Sequence, residues 1–230
     1  MLKENSNSKN IKGFKFLQID EYILLFIIKM IFFIDTVSPA PKILLINNNI
    51  ISSVEIPINN DIQISESLIM KLLETFKSDF DIKTANKIVV CRGPGSFTAL
   101  RIGIGAAVGF KSALNIPLYG ITAFDILLRY SRVNYNYENV HVVIGSSNNQ
   151  NFYAALNIKD EFTIKPKKIK NLSDLKKSTD SSMLISNIKI SDNYYNHFSF
   201  VFSVDICQAV SSYNLSKLIK EQDILHPFYI

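Results

Sequence analysis

Five of the eight glycines in this 230-residue chain fall within residues 92–109, which read RGPGSFTALRIGIGAAVG. The apolar, β-branched run at residues 87–91, directly before them, is typical of a buried strand. Pro94 fixes its own φ, and Gly93 and Gly95 accept positive φ. The sequence therefore predicts a strand, a tight turn and a helix in that order.

The predicted helix, residues 98–114, is apolar on nearly every side, which requires packing on more than one surface. Ser96 or Thr98 is expected to cap its first turn. Helical geometry places mostly small residues on one face: Ala99, Ile102, Gly103, Ala106, Gly109 and Ala113. A bulkier face carries Leu100, Ile104, Val108 and Leu114. Because each interior glycine costs about 1 kcal/mol relative to alanine, we expect a second helix, from this chain or a partner, to pack closely on the small face.

Two phosphate-binding interpretations of this stretch do not match in detail. A P-loop has a lysine after its last loop glycine, whereas Gly95 is followed by Ser96 and Phe97. The later glycines fall inside the predicted helix and not in the turn that a dinucleotide site needs. A further interpretation stays open, in which Gly-Pro-Gly is only a turn and the glycines only bring together two helices of one domain.

Length and composition indicate a globular chain with one large or two small domains, since 47% of its residues are hydrophobic. The net charge of +5 would permit contact with RNA but is weak evidence for it. Cys91 and Cys207 have no metal-type spacing and imply no disulfide framework, so a reducing cytoplasm is expected.

Residues 1–29 are expected to be a poorly ordered extension. An apolar run at residues 22–34 raises the alternative of a secretory signal peptide, with a mature chain beginning after Ala40. Acidic residues stand where such a signal carries positive charge, and Lys29 interrupts the apolar run. We therefore favour a buried strand at residues 30–34.

The remaining pattern predicts two halves with the same order of elements, residues 30–132 and 133–230. In the first half, strands are expected at residues 30–34, 42–46, 50–56, 87–91 and 118–121, and helices from Ser65 onward, at 98–114 and at 123–130. In the second half, strands are expected at residues 140–144, 152–158, 162–169, 182–188 and 198–204, and a helix at 205–221. The apolar residues 225–230 are expected to pack back onto the fold. The repeat suggests a duplicated α/β architecture.

Catalytic groups are scarce in the sequence. The three histidines are scattered and none has metal-ligand spacing, so no catalytic residue, metal or cofactor is predicted. Asp35 ends the first predicted strand, where an open α/β sheet presents ligands, but it could equally cap the turn that follows. The lysine-rich residues 159–177 could face RNA or simply solvent.

Residues 91–103, CRGPGSFTALRIG, closely resemble the signature of the TsaB (YeaZ) family, bacterial proteins needed to make N6-threonylcarbamoyladenosine in tRNA. Ile34-Asp35-Thr36 is similar to the opening strand of that family, and Pro227-Phe228-Tyr229 to its end. The resemblance is firm over residues 30–127 and thinner after residue 140. Three positions depart from the family pattern: Ala99 replaces a glycine, Ile64 a histidine, and Gly145-Ser146-Ser147 an Asp-Ala-Arg stretch.

The resemblance implies the actin-like ATPase (ASKHA, ribonuclease H-like) fold, an α/β fold of two duplicated lobes with mixed sheets flanked by helices. It implies a non-catalytic dimerisation subunit in the cytoplasm, with no membrane association. Its implied partners are a TsaD-like transferase subunit, paired through a four-helix bundle, a TsaE-like ATPase, and tRNA through the complex. A homodimer is a further possibility.

Carried over onto this sequence with helical face geometry, the expected contact surface consists of Leu68, Leu72, Phe76, Arg101, Gly103, Ala106, Gly109, Phe110 and Ala113. Its structural motif is Gly93, Pro94, Gly95, Ser96, Phe97 and Thr98. The rival hypothesis is a stand-alone ATPase or small-molecule kinase of the same fold, which would use Asp35 for nucleotide binding.

Overall fold

The computed structural model describes residues 30–47, 49–57, 67, 70–71, 85–146, 148–175, 181–191, 197–211 and 225–230. The predicted extension, residues 1–29, lies outside these described residues. So do Leu68, Leu72 and Phe76 of the predicted contact surface.

The first sheet has five strands: β1 (Ile31–Asp35), β2 (Lys42–Asn47), β3 (Asn49–Glu55), β4 (Lys87–Cys91) and β5 (Leu118–Ile121). They lie in the order β3-β2-β1-β4-β5. The central strand β1 pairs antiparallel with β2 and parallel with β4, and its five residues are all buried. A mature chain that began after Ala40 would lack this central strand, which argues against the signal-peptide alternative.

The second sheet repeats that plan with β6 (Asn139–Gly145), β7 (Asn151–Leu156), β8 (Phe162–Ile169), β9 (Ser182–Ser186) and β10 (Phe200–Ser203). The order is β10-β9-β6-β7-β8, with β6 antiparallel to β7 and parallel to β9. β6 therefore occupies the position of β1, and β7 that of β2. The predicted duplicated α/β fold with two mixed sheets is confirmed.

Three described helices flank the sheets: α1 (Phe97–Leu114), α2 (Ala123–Asn134) and α3 (Ile206–Ser211). α1 packs on β4 and also contacts β1 and β5. α2 contacts β6, β9 and α3, so one hydrophobic cluster runs from the first sheet into the second. A capping box fixes the start of α2, where the Thr122 hydroxyl accepts from the Asp125 N–H at 3.1 Å.

The predicted elements agree with the structure to within a few residues, apart from those that fall on undescribed residues. β7 ends at Leu156 rather than at residue 158, because a turn closed by the Asp160 N–H and the Asn157 carbonyl begins there. The boundary that we predict after residue 132 falls in the last turn of α2, and this division into lobes stays a prediction.

Candidate functional site

α1 has one face in the core of the first sheet and another that is open. Its buried residues are Ala99, Leu100, Gly103, Ile104 and Ala107. On the other side runs an exposed stripe, here called the open stripe: Arg101, Gly105, Val108, Gly109, Ser112 and Ala113. Val108 is 46% exposed, and a Cβ built at Gly105 or Gly109 would meet no atom of the described residues within 4 Å.

The open stripe is mostly small and apolar, which is unusual for a helix face that no described residue covers. By length and apolar composition alone, α1 could also cross a membrane. Its buried face instead packs on the strands of the first sheet. A helix that is apolar on nearly every side is suited to packing against protein on more than one side.

The predicted contact surface divides into two groups on α1. Arg101, Gly109 and Ala113 are exposed. Ala106 and Phe110 are half-buried in a hydrophobic cluster formed by α1 and the first sheet. Gly103 points inward, where an added Cβ would overlap the Thr36 side chain. The assignment of this surface to a partner stays a prediction. Gly103 already packs against Thr36 within the chain.

Sequence reasoning missed three residues of the open stripe: Gly105, Val108 and Ser112. Their spacing from Arg101, at i+4, i+7 and i+11, is a signal that could have found them. The apolar character of Val108 placed it on a bulky face, which was expected to be buried. The structure shows that the sheet covers a narrower arc of the helix than that pattern suggested.

The Gly-Pro-Gly turn is held by backbone contacts from both sides. Gly93 has φ +123°, and an added Cβ would lie 2.6 Å from the Phe228 carbonyl oxygen. The Phe228 N–H donates to the Arg92 carbonyl at 2.7 Å, and the Ala123 N–H donates to the Gly93 carbonyl at 2.8 Å. The expectation that residues 225–230 pack back onto the fold is thus confirmed.

The expected side-chain cap of α1 is not present. Ser96 occupies the N-cap position, but its hydroxyl makes no capping hydrogen bond, and Thr98 lies in the first turn with an exposed side chain. The helix begins with the Leu100 N–H donating to the Ser96 carbonyl at 2.9 Å. The packing of the turn against Val37, which lies 2.7 Å from a Cβ built at Gly95, holds this start in place instead.

Asp35 lies at the end of β1, as predicted, and is completely buried. Its Oδ1 accepts from the N–H groups of Val37 and Ser38 at 3.0 and 3.2 Å, so it caps the turn. Burial raises the pKa of Asp35, and hydrogen bonding from residues 37 and 38 opposes that rise. The Ser38 hydroxyl lies nearby, but neither it nor Asp35 Oδ2 meets hydrogen-bond geometry with any partner in the structure.

No cluster of three His, Cys, Asp or Glu side chains that could hold a metal ion occurs among the residues that the structure describes. The two cysteines are free and buried. The role of Asp35 in nucleotide binding stays a prediction.

Comparison with known proteins gives a consistent set of relatives. The family model for "TsaD: tRNA N6-adenosine threonylcarbamoyltransferase" matches residues 60–218, more than half of the chain. The tRNA threonylcarbamoyladenosine biosynthesis protein TsaB of Buchnera aphidicola (Schizaphis graminum strain) is 30% identical over 86 residues, which cover 37% of this chain and 40% of that relative. The chain thus aligns with about two fifths of the length of that curated relative.

Two solved structures share the fold. YeaZ from Pseudomonas aeruginosa aligns with a TM-score of 0.54 at 16% identity, covering 80% of this chain and 90% of that one. A second Pseudomonas aeruginosa protein, described as similar to peptidase YEAZ, aligns with a TM-score of 0.52 at 15% identity, covering 80% and 89%. Similarity at this level of identity shows a common fold.

Proposed function

This chain belongs to the TsaD family of tRNA N6-adenosine threonylcarbamoyltransferases, and we propose that within this family it is a TsaB (YeaZ) protein, a non-catalytic subunit of the machinery that forms threonylcarbamoyladenosine in tRNA. In this role it binds a TsaD-like transferase subunit and holds it in working shape. The observation that carries the proposal is the open stripe of α1.

The open stripe has the properties of a helix–helix contact. Gly105 and Gly109 lie four residues apart, so they share one side of the helix and leave a groove with no side chain. Packed helices normally lie about 8–10 Å apart, and small residues at the contact permit the short end of that range. A partner helix laid along this groove would also cover the exposed Val108 and offset the cost of the interior glycines.

A positive charge lies at one end of the stripe. The Arg101 guanidinium stacks on the Phe97 ring, with its Cζ 3.8 Å from the ring centroid. A guanidinium on an aromatic face keeps its N–H groups available for a carboxylate of the partner. The proposed contact therefore combines close helix packing with one charged anchor.

The stand-alone ATPase hypothesis would use Asp35 for nucleotide binding, but the placement of Asp35 supports a structural role instead. One of its oxygens already caps the turn after β1, and the side chain is completely buried. We assign the ATP-dependent chemistry to a TsaE-like ATPase, and tRNA binding to the assembled complex, in the cytoplasm. A homodimer through the same stripe is the proposed state when the TsaD-like partner is absent.

Co-purification with the TsaD-like subunit of the same organism tests the proposal. The Gly105→Leu/Gly109→Leu variant should lose the complex, because two bulky side chains fill the groove that the partner helix would enter. It should still fold, because both positions face open space. Val133→Phe serves as the matched control, since it adds bulk on α2 at a site that is 57% exposed and away from the stripe.

Loss of the complex in the stripe variant alone, with a thermal unfolding temperature no lower than that of the wild type, is the expected result, because leucine favours the helix over glycine at both open positions. If the stripe variant binds the TsaD-like subunit as tightly as the wild type, the open stripe of α1 is not part of the interface. ATP hydrolysis by the purified wild-type chain, absent from Asp35→Asn, would favour the stand-alone ATPase instead.

A further inference from the structure

A cavity of about 490 Å³ lies between the two sheets, near the N-terminal end of α1. Its walls come from Arg92 after β4, from the start of α2, from β8, and from residues 228–230. Sites for small molecules are typically about 300–1,000 Å³ and combine apolar walls with a few polar groups. No residue of the open stripe lines this cavity, although Tyr229 in its wall stacks on Phe97, the ring on which Arg101 also stacks.

One wall of the cavity is rigidly attached to the fold. The Phe228 N–H donates to the Arg92 carbonyl at 2.7 Å, and Gly93 permits the close approach of the Phe228 carbonyl. The Phe124 and Phe228 rings meet edge to face, with their centroids 6.5 Å apart. These contacts position residues 228–230 opposite β8.

The charged groups in the wall favour an anion. Arg92 and Lys165 both line the cavity. Arg92 Nε is buried with no hydrogen-bond partner in the structure, and Arg92 Nη1 makes only a long contact of 3.5 Å with the His226 carbonyl. The lining carboxylate, Asp125, already accepts from the Thr122 N–H and hydroxyl through Oδ2, at 3.2 and 2.6 Å. The partly buried Arg92 and the exposed Lys165 therefore offer two positively charged donors to the anionic group of a ligand.

Aromatic faces stand at the mouth of the cavity. Phe162 is 50% exposed and Tyr229 is 49% exposed, although both are large hydrophobic side chains. Tyr229 stacks on Phe97, with ring centroids 5.3 Å apart and an interplanar angle of 27°, which holds its ring in place. Exposed aromatic rings beside cationic side chains are the arrangement that binds a nucleobase by stacking and its phosphate by charge.

We propose that this cavity binds a nucleotide unit, with the phosphate at Arg92 and Lys165 and the base against Phe162 and Tyr229. A free mononucleotide and an unpaired nucleotide of an RNA strand share this chemistry. The proposal does not depend on the open stripe or on the TsaD-like partner.

A single fluorescent reporter tests it in the full-length chain. The sequence contains no tryptophan, so Tyr229→Trp places a unique indole at the mouth of the cavity. The variant is titrated with AMP and, separately, with a short single-stranded oligoadenylate, and saturable quenching of the indole is expected. Calorimetric titration of the wild-type chain with the same two probes confirms that the reporter did not create the site.

The two titrations distinguish the sources of the ligand. Saturation by AMP identifies a free mononucleotide site. Saturation by the oligoadenylate alone, with an affinity that falls steeply as salt rises, identifies a site for single-stranded RNA. If neither probe gives saturable quenching or heat, the proposal is overturned.

Charge variants in the reporter background locate the binding. Arg92→Gln/Lys165→Gln should weaken binding roughly tenfold or more, because charge-assisted hydrogen bonds to the phosphate are lost. Lys165→Gln alone, at an exposed position of β8, gives a smaller loss because Arg92 remains. Lys167→Gln is the matched control, since it makes the same charge change on the same strand outside the cavity, where its Nζ lies 5.9 Å from the Tyr153 ring centroid.

An equal loss of affinity in Lys167→Gln would show general attraction to a basic strand and would overturn the proposal. The Gly105→Leu/Gly109→Leu variant should keep full nucleotide binding. Failure of the partner-binding proposal and failure of the nucleotide proposal are therefore separate results.

Discussion

Gly103 of α1 lies so close to Thr36 that an added Cβ would overlap the threonine hydroxyl. That hydroxyl cannot easily move, because it donates to the Ala99 carbonyl at 2.7 Å in a buried position. The contact joins the end of β1 to the second turn of α1. Gly103 is therefore required by the chain's own packing, whatever the open stripe binds.

Gly103 and Gly105, two residues apart on α1, should respond in opposite directions to replacement by alanine. Gly103→Ala should lower the free energy of unfolding by about 1–3 kcal/mol, because the methyl group overpacks the Thr36 site. Gly105→Ala should raise it by about 0.5–1 kcal/mol, because the site is open and alanine favours the helix. Urea unfolding of both variants measures the two values, and a stabilising Gly103→Ala would contradict the observed packing.

A buried histidine–tyrosine pair on β6 and β7 should make stability depend on pH. His141 Nδ1 lies 2.6 Å from the Tyr153 hydroxyl, and burial lowers the pKa of His141 to about 4 from 6.5. Below pH 6.5 the unfolded chain gains a proton that the folded chain does not accept until about pH 4. The contribution of His141 to stability is thus complete above pH 6.5 and is lost as the pH falls toward 4.

Replacing both partners isolates this contribution. His141→Phe/Tyr153→Phe should stay within about 1 kcal/mol of the wild type at neutral pH, because two apolar rings replace a satisfied pair. Its free energy of unfolding should fall less between pH 6.5 and 4 than that of the wild type, because it has no His141 to protonate. The single variant His141→Phe is the control and should cost about 1–3 kcal/mol, since it strands the buried Tyr153 hydroxyl. Unfolding curves of equal pH dependence in the double variant and the wild type would contradict the assignment.

Asp35→Asn should stabilise the chain at neutral pH by about 1 kcal/mol. The amide oxygen can still accept from Val37 and Ser38, and the amide N–H can reach the unpaired Ser38 hydroxyl. Burial, followed by the charge of Asp205, raises the pKa of Asp35. The neutral carboxyl is favoured in the folded state, so its contribution to stability is complete below the ordinary pKa of 3.8 and is lost as the pH rises from there through the raised pKa.

The gain from Asp35→Asn should accordingly shrink toward acidic pH, where the wild-type carboxyl is neutral in both states. Asp35→Ala is the control and should lower the unfolding free energy by about 1–3 kcal/mol at all pH values, because two buried N–H groups lose their acceptor. Thermal unfolding across the pH range measures both variants. An Asp35→Asn variant as unstable as Asp35→Ala at neutral pH would show that the charge itself is needed.

Local sequence patterns predicted most of the described elements. Alternating and β-branched runs marked the strands, such as Lys87–Cys91, and the Gly-Pro-Gly turn marked the start of α1. These signals are local, because side-chain periodicity and backbone preference act over a few neighbouring residues. The repeated order of elements likewise predicted the duplicated fold.

Helical periodicity alone did not determine which face of α1 is open. Helical periodicity grouped Gly103 with Gly109, but the structure buries the first against Thr36 and leaves the second open. The prediction and the structure differ because the buried face of α1 is set by its contacts with β1, β4 and β5, and β1 in particular is distant in sequence. The expected Ser96 cap failed for a related reason, since packing against Val37 holds the turn without it.

The sequence was thus sufficient for the order of the elements, the duplicated plan and the family, because periodicity, turn chemistry and a short signature are carried by neighbouring residues. Only the tertiary structure decided which glycines are packed, that Asp35 is buried in a turn, and that Arg92, Phe162 and Lys165 surround one cavity. The physical reason is that burial and unpaired hydrogen-bond donors are properties of neighbours in space. Thr36 and Ala99, which are 63 residues apart in the chain, meet only when the sheet forms.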